Sequence, residues 1–415
     1  MSKIQLGVMF GSRSCEHEGS IISAVQLMRA ADRQLYDVIP IYISKKGEWF
    51  TGDALFEISS YTHFDENRKG VVRVNLDITS GSGALTRLEH GKGLLGKDRE
   101  VIVARLDCVI PVFHGMNGED GTIQGLLELY GVPYTSAGVL GSATGMDKIA
   151  MKLIYRGCGL PVTDMCWFER ADWEAGREDI LGRVEREIGY PAFVKPANLG
   201  SSIGISRAKD RASLAEAIDV AASFDRRILV EKGVEHLKEV NCAAVGYGED
   251  VTVSPCEMPV SWEEFLTFDE KYLRGGKGGK GGKLGPAKAM PAKGAPVKGG
   301  GAKGMQSLSR RIPAPIPDET TAEIQRMTRE IFRIMDLKGV VRVDYLLDTE
   351  ANRIYVNEVN TIPGSLAFYL FEAMGIPFRE LIDRMVDAAM RARRERDAST
   401  FSYGSPILQR AAGNR

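Results

Sequence analysis

Lys195-Pro196-Ala197-Asn198-Leu199-Gly200-Ser201-Ser202-Ile203-Gly204 ends the apolar run Ala192–Lys195 with a cation, two glycines and two serines. Glycines let backbone N–H groups approach phosphate oxygens, serines add donors and the lysine adds a point charge. The lysine precedes the glycines, so this is not the G-x-x-x-x-G-K-[ST] phosphate loop. Taken alone it reads more readily as an ordinary turn. Its surroundings give it meaning: helix Lys148–Arg156 before it, then helix Ser213–Ser223 and strand Arg227–Glu231 after it. Upstream, strand Lys3–Phe10, helix Ser20–Ala31 and strand Val38–Ile43 predict a parallel α/β unit. A strand candidate at Val101–Phe113 leads to a helix at Thr122–Tyr130, stopped by Gly131-Val132-Pro133. Downstream, strands at Glu239–Gly246, Gly339–Leu347 and Ile354–Glu358 flank a helix at Asp318–Met335. The stretch after Arg394 lacks periodicity and reads as a loosely held tail.

Composition narrows the classes. The 415 residues are 44% hydrophobic and 26% charged, enough for two or three domains with cores of their own. Lys+Arg 54 against Asp+Glu 55 gives a net charge of −1, without the basic excess of a nucleic-acid or membrane-surface binder. The six cysteines form no CxxC pair and no His/Cys cluster, which fits reduced thiols and argues against structural zinc. No signal h-region is expected at Met1–Phe10, and no run of 18 apolar residues occurs. These features predict a soluble cytoplasmic protein. From Arg274 to Arg311 there are ten Lys/Arg, twelve Gly and no acid. Such a segment cannot bury a core and reads as a loop, either a basic lid over an anionic ligand or a plain linker. It has no interleaved aromatics, which argues against nucleic-acid binding.

Three further stretches could carry chemistry. Alternation puts Arg342 and Asp344 on one strand face, and likewise Glu358 and Asn360 in Asn357-Glu358-Val359-Asn360. Two carboxylates and an amide form an all-oxygen set suited to Mg²⁺ with phosphates rather than to zinc. Solvated strand-end polar residues are the plainer reading, but Val340, Val341, Val343, Tyr345, Val356 and Val359 indicate a covered sheet. Gly11–Ser20 is a polar loop at the carboxyl end of the first strand, where ligands sit in open α/β sheets. A carboxylate there could hold a cationic amine, or Glu16 or Glu18 could simply favour a helix N-terminus. His114–Thr122 is a ligand loop or a Gly-rich turn with Asp120 near an N-cap. His114 has no ligand-spaced partner for a metal.

In this order, the four stretches resemble the D-alanine–D-alanine ligases of the ATP-grasp superfamily. Carrying the resemblance are Gly11–Ser20, HGMNGEDGTIQG (His114–Gly125), Pro133-Tyr134-Thr135, Met146-Asp147-Lys148, KPANLGSSIG (Lys195–Gly204), Lys271-Tyr272, Arg342–Asp344 and NEVNTIPG (Asn357–Gly364). It extends over roughly residues 4–392. The fold it implies is α/β, a three-domain ATP-grasp arrangement with nucleotide between the central and C-terminal α+β domains. An N-terminal Rossmann-like parallel-sheet domain would span 1–136, the central subdomain 137–235 and the C-terminal domain 236–395. A mobile lid would occupy 265–311 and a flexible tail 396–415.

The activity implied is ATP-dependent joining of two D-alanines through D-alanyl phosphate, for peptidoglycan precursors. ATP is then a substrate, with two Mg²⁺ as cofactors and Mn²⁺ as their substitute. A homodimer is expected, with no nucleic-acid or membrane partner. The resemblance assigns the ammonium of the first D-alanine to Glu16. It joins Ser201 and Tyr272 to Glu16 in a hydrogen-bonded triad. Lys148, Lys195 and Ser202 would serve the ATP phosphates, Glu231 and Lys232 the adenine hinge, Glu239 the ribose and Lys271 the transferred phosphate. Asp344, Glu358 and Asn360 would hold the metal ions. Arg342 and the N–H of Gly364 would form the oxyanion site, and His114 would line the substrate pocket. Two departures stand out: the insert Gly275–Gly304 is longer than in relatives, and Tyr369 stands where relatives carry a serine for the second substrate's carboxylate. Tyr272 favours an amine nucleophile. The alternatives are a D-Ala–D-Ser or D-Ala–D-Lac ligase, or a non-catalytic nucleotide binder.

Overall fold

The computed structural model describes residues 2–91, 97–200, 202–259, 310–402, 404–405 and 407–413. Lys271, Tyr272, Ser201 and nearly all of the expected lid lie outside the described residues. The chain starts with β1 (Ile4–Gly11), α1 (His17–Ala30), β2 (Tyr36–Ile43), β3 (Trp49–Thr51), β4 (Val72–Leu76), β5 (Ala84–Glu89), β6 (Arg99–Arg105), β7 (Cys108–Val112) and α2 (Thr122–Tyr130). These strands form one seven-stranded sheet, ordered β6-β5-β4-β3-β2-β1-β7. Only β2, β1 and β7 run parallel; from β3 outward every pairing is antiparallel. The expected parallel unit is therefore half of a mixed sheet. The five residues between β2 and β3 are too few for a crossover and can only make a hairpin.

The strand expected over Val101–Phe113 is two strands on opposite edges of this sheet. The break falls at Leu106-Asp107, where the Asp107 N–H donates to Gln5 O at 2.9 Å and its carboxylate accepts the Gln5 N–H at 2.8 Å. Buried Leu106 and this acid turn the chain from the antiparallel edge back to β1.

The middle of the chain contains α3 (Val139–Met146), α4 (Lys148–Gly157), β8 (Met165–Glu169), α5 (Arg170–Ala175), α6 (Arg177–Glu187), β9 (Ala192–Pro196), β10 (Ser206–Ala208), α7 (Arg211–Phe224) and β11 (Arg227–Lys232). Its antiparallel sheet, β10-β9-β11-β8, packs Val194, Ile228 and Val230 against Trp173, Leu181, Leu214 and Ile218 of the helices. Then come β12 (Leu237–Tyr247), β13 (Asp250–Val253), β14 (Met258–Pro259), β15 (Arg310–Arg311), α8 (Asp318–Ile334), β16 (Lys338–Asp348), β17 (Arg353–Asn360), α9 (Phe368–Glu372) and α10 (Phe378–Asp397). The sheet β13-β12-β16-β17 buries Val341, Val343 and Tyr345 against Ile324, Ile331 and Phe332 of α8. α10 runs past Arg394 to Asp397, and α11 (Ile407–Gly413) is helical where the sequence showed no periodicity.

Two shared cores join these units. Ala243, Val245, Val340 and Ile362 pack with α1, α9 and α10 in the cluster that includes Val8 and Val112. Met151 and Tyr155 of α4 enter the cluster of the β12–β16 sheet. The approach is closest at Gly339, whose φ is +74° and where a Cβ would fall 1.6 Å from the carbonyl oxygen of Thr135. Gly339→Ala combines left-handed strain with displacement of the Thr135 backbone and is expected to cost at least about 2 kcal/mol. Chemical denaturation checks this; an unchanged midpoint contradicts it.

Candidate active site

Strand alternation sets the first part of the site. With Val341, Val343 and Tyr345 in the core, Arg342 and Asp344 must face the other way. Register places Asn360 opposite Arg342 and Glu358 opposite Asp344 on β17, and Asn241 opposite Asp344 on β12. Arg342 donates to Asp344 through Nε to Oδ1 at 2.6 Å and Nη2 to Oδ2 at 2.8 Å. This two-pronged pair is of the strongest charge-assisted kind. Burial works against the guanidinium's charge, but Asp344 more than offsets it and the Arg342 pKa is raised. Asn360 Nδ2 also donates to Asp344 Oδ2, at 3.1 Å. Asp344, Glu358 and Asn360 therefore share one face, and this all-oxygen set fits a hard divalent cation.

The second part is lysine-rich. α4 starts at the N-cap Asp147, which accepts from the N–H groups of Ile149 and Ala150. Lys148 opens the helix, and its backbone N–H donates to Ala197 O at 2.9 Å in the turn after β9. Its ammonium donates to Leu199 O at 2.7 Å and lies 3.6 Å from Glu358 Oε2. Lys152, one turn later and 1% exposed, lies 2.6 Å from Glu231 Oε1. Lys195 on β9 reaches Glu231 Oε2 at 2.5 Å and lies 3.5 Å from Asn357 Oδ1. Thr163 also donates to Glu231, at 2.8 Å. Burial would raise the Glu231 carboxyl, but the Lys152 and Lys195 charges overcome it and hold it far below the usual carboxylate range. Burial lowers Lys152, whereas Glu231 keeps Lys195 above the ordinary lysine value. Lys232 points elsewhere, donating to Tyr190 O at 2.8 Å.

The loops after β1 and β7 complete the site. Ser14 Oγ donates to His114 O at 2.7 Å and accepts the Glu16 N–H at 3.1 Å. This bond ties the two loops together and leaves Glu16 7% exposed at the start of α1. A methyl group on Gly115 or on Gly200 would come within 2.7 Å of Glu16 Oε2. The carboxylate thus sits where the His114 loop and the Gly200 turn meet. His114 Nδ1 lies 3.1 Å from Ile362 O and its Nε2 lies 3.0 Å from Ser23 Oγ. A carbonyl can only accept, so Nδ1 carries the proton and Nε2 accepts from Ser23; burial keeps the ring neutral by lowering its pKa. Ser23 Oγ in turn accepts the Ser365 N–H at 3.2 Å, beside Gly364.

Glu119 shows no role in the sequence, yet it joins the two halves of the site. Its Oε2 accepts the Gly115 N–H at 2.9 Å and its Oε1 the Ile362 N–H at 3.0 Å. Burial first, and then the nearby Glu16 charge, push its pKa up to about 8. Lys152 is the other residue sequence reasoning missed, although its four-residue spacing from Lys148 puts both on one helix face. Of the expected residues, Glu16, His114, Lys148, Lys195, Glu231, Arg342, Asp344, Glu358 and Asn360 line these three linked parts. Glu239 lies opposite Leu346 on the sheet that holds Asp344. Ser202 has a φ of +59° in the Gly200 turn.

Residues 5–137 match the family profile described as D-ala D-ala ligase N-terminus, and residues 154–287 and 302–387 match D-ala D-ala ligase C-terminus. The D-alanine–D-alanine ligase of Thermosipho melanesiensis is 35% identical over 410 residues, covering 99% of both chains. That of Caldicellulosiruptor bescii is 36% identical over 416 residues, covering 97% of this chain and 99% of its own. Among solved structures, the D-alanine-D-alanine ligase from Coxiella burnetii superposes with a TM-score of 0.72 at 24% identity, over 96% of this chain and 97% of that one. The VanG D-Ala:D-Ser ligase from Enterococcus faecalis gives 0.73 at 25%, over 94% and 100%.

The raised Glu119 pKa has a stability consequence. Between about pH 4.5 and 8 the folded chain keeps a proton that the unfolded chain has released, so stability falls as pH rises through this window. In Glu119→Gln that component is gone. Thermal denaturation across the window is expected to show a steeper decline for the wild type than for the variant; parallel curves contradict the assignment.

Proposed function

The chain belongs to the D-alanine–D-alanine ligase family, and from that premise we propose that it joins two D-alanines at the expense of ATP, through an acyl phosphate. The observation that carries the assignment to this cleft is the Lys148 ammonium, 3.6 Å from Glu358 Oε2. It sets a cation of the phosphate-loop region beside a carboxylate of the oxygen-donor face. Phosphoryl transfer needs cations and positioning more than covalent help. Lys148 and Lys195 hold the phosphates, with Ser202 in the same turn. Glu231 acts by fixing Lys195, while the adenine and ribose lie toward Lys232 and Glu239. Asp344, Glu358 and Asn360 would hold two Mg²⁺ ions, which when bound neutralise phosphate charge.

A carboxylate is a poor acyl donor, and the order of events follows from that. Glu16 takes the ammonium of the first D-alanine and directs its carboxylate toward the γ-phosphoryl group. A carboxylate oxygen displaces ADP from phosphorus, giving D-alanyl phosphate. The amine of the second D-alanine attacks the carbonyl carbon and loses a proton, and the tetrahedral intermediate expels phosphate. Arg342 and the Gly364 N–H stabilise its oxyanion. Fixed donors serve best there because they need no reorganisation as charge develops. Asp344 holds the Arg342 fork at two atoms, and the His114–Ser23–Ser365 chain holds the Gly364 turn. Ser201, Lys271 and Tyr272 keep the roles the resemblance implies. A homodimer, a cytoplasmic location and the central and C-terminal units closing on nucleotide belong to the same reading. Consistent with it, no helix among the described residues is long and apolar enough to cross a membrane.

Phosphate release with ATP and Mg²⁺, with products read by mass spectrometry, tests the function. D-Alanine alone is expected to give D-Ala-D-Ala and one phosphate per dipeptide, and L-alanine none. Product only on adding D-serine or D-lactate refutes D-alanine as acceptor, and no turnover refutes a ligase. Glu358→Ala is expected to lower kcat by about 10²–10³, the scale of losing one preorganised electrostatic contact. Equal turnover by this variant contradicts the metal assignment.

A further inference from the structure

Six cysteines are spread along the sequence without a CxxC pair, yet the fold brings two of them face to face. After β13 the chain returns along β12, where Asn241 and Glu257 exchange both backbone bonds, each N–H to the other's carbonyl at 2.9 Å. One step farther along this antiparallel pair, Cys242 stands opposite Cys256. Residues at such a step share no backbone bond; their Cα atoms lie about 4.5 Å apart and their side chains leave on one face. Both cysteines are free and lie in the core that the β12–β16 sheet forms with α8, at 0% and 1% exposure. The Cys256 thiol hydrogen-bonds the Cys242 sulfur, and Cys242 Sγ in turn donates to Ser254 O at 3.5 Å. Burial disfavours a thiolate at Cys242, but hydrogen bonds, led by that from Cys256, outweigh it and lower its pKa. The same bond, with burial, raises Cys256. The Cys256 backbone is also held from its other edge, where its carbonyl accepts the Ala314 N–H at 2.8 Å.

We infer that Cys242 and Cys256 are an oxidation site, at which a peroxide converts the facing thiols into a cross-strand disulfide. A disulfide needs Cα atoms about 4.4–6.8 Å apart, and this step of the ladder supplies a separation at the short end of that range. The Cys242 sulfur, as thiolate, attacks one peroxide oxygen; the O–O bond breaks, and the departing hydroxide takes up the released proton as water. Cys242 is then a sulfenic acid. The Cys256 sulfur attacks the Cys242 sulfur, the S–O bond breaks, and hydroxide leaves with the Cys256 proton as a second water. Two thiols lose two electrons and the peroxide gains them. Burial favours a small uncharged oxidant over a bulky or charged one. The next residue, Glu257, accepts from Asn241 Nδ2 at 3.0 Å and from the Tyr369 hydroxyl at 2.8 Å, and Asn241 pairs with Asp344. The disulfide therefore tethers the strand that carries this network to the sheet that carries Asp344.

The full-length protein is treated with hydrogen peroxide, freed of it, unfolded in iodoacetamide without reductant, digested and analysed by mass spectrometry. The Cys242 and Cys256 peptides are expected joined, two hydrogens lighter than their sum, and dithiothreitol should separate them. Cys108 and Cys166 are internal controls: both are buried, but they pair with Leu6 and Val230 rather than with a thiol. At the dose that links the pair, both should still be recovered as alkylated thiols. Peroxide should also raise the Tm of the wild type, because the cross-link restricts residues 243–255 in the unfolded chain, and dithiothreitol should reverse the rise. In Cys256→Ala the link and the rise in Tm should both be absent; Cys242→Ala makes the same test if that variant misfolds. Cys242 and Cys256 recovered as thiols after the exposed Cys15 and Cys158 are fully oxidised would overturn the inference. Oxidation of all four buried cysteines at a common rate would overturn it too, because unfolding rather than the facing geometry would then expose the sulfurs.

Discussion

Glu231, 3% exposed, carries a negative charge between two ammonium groups, and the cleft is arranged around that fact. Isolating a charge at this depth would cost several kcal/mol, and removing one partner of such a pair typically costs about 3–5 kcal/mol. Lys152, 1% exposed, provides a buried counter-charge, and Thr163 supplies a neutral hydrogen bond. Lys195, at the end of β9, can then remain charged while facing the cleft. The same logic recurs across the site, with Arg342 on Asp344, Lys148 near Glu358 and Arg310 on Glu257. Each cation thus sits on a carboxylate before any substrate arrives. A polyanionic substrate could enter by exchanging partners within this network, which keeps reorganisation small.

The other constraint is mechanical. Residues from the first 130 positions must lie in register with a turn near residue 364, and backbone groups do much of that work. Glu119 bonds the N–H groups of Gly115 and Ile362, and His114 bonds Ile362 O and Ser23. α1 therefore contributes Glu16 at its start and Ser23 in its middle, holding the proposed amine and oxyanion ends of the site in one element. Loss of a buried acceptor here strands two N–H groups, at a cost of about 1–3 kcal/mol each. Such loops tolerate little change in length even though they carry few apolar contacts.

Elements with a clear period were legible in the sequence. Thr122–Tyr130 ends where Gly131 adopts a left-handed conformation, and the edges of α4, α7, β9, β11, β16 and β17 fall within one or two residues of the periodic runs. Legibility failed where pairing rather than period decides. The run 101–113 is apolar enough, Arg105 and Asp107 apart, to read as one strand, and the Asp107–Gln5 contact explains the break. β4 and β5 are half or more apolar, but too short for their alternation to decide the assignment without the neighbours they pair with. In the site, alternation alone paired Arg342 with Asp344 and Glu358 with Asn360. The partners of buried charges were not visible. Lys152 and Glu119 lie in stretches whose local pattern is helix and turn, and their contacts appear only once distant segments meet. Glu231 and Lys195 were legible as site residues, but their pairing and the second lysine on the carboxylate, Lys152, were not.

The proposed chemistry in this cleft activates a carboxylate by phosphorylating it. D-Alanine labelled with oxygen-18 in both carboxylate oxygens tests that claim directly, with the released phosphate and the dipeptide analysed by mass spectrometry. If D-alanyl phosphate forms between Lys195 and Arg342, each turnover moves one labelled oxygen from the donor carboxylate to phosphate. Unlabelled phosphate released alongside dipeptide would mean that the carboxylate is never phosphorylated, and the account would be wrong.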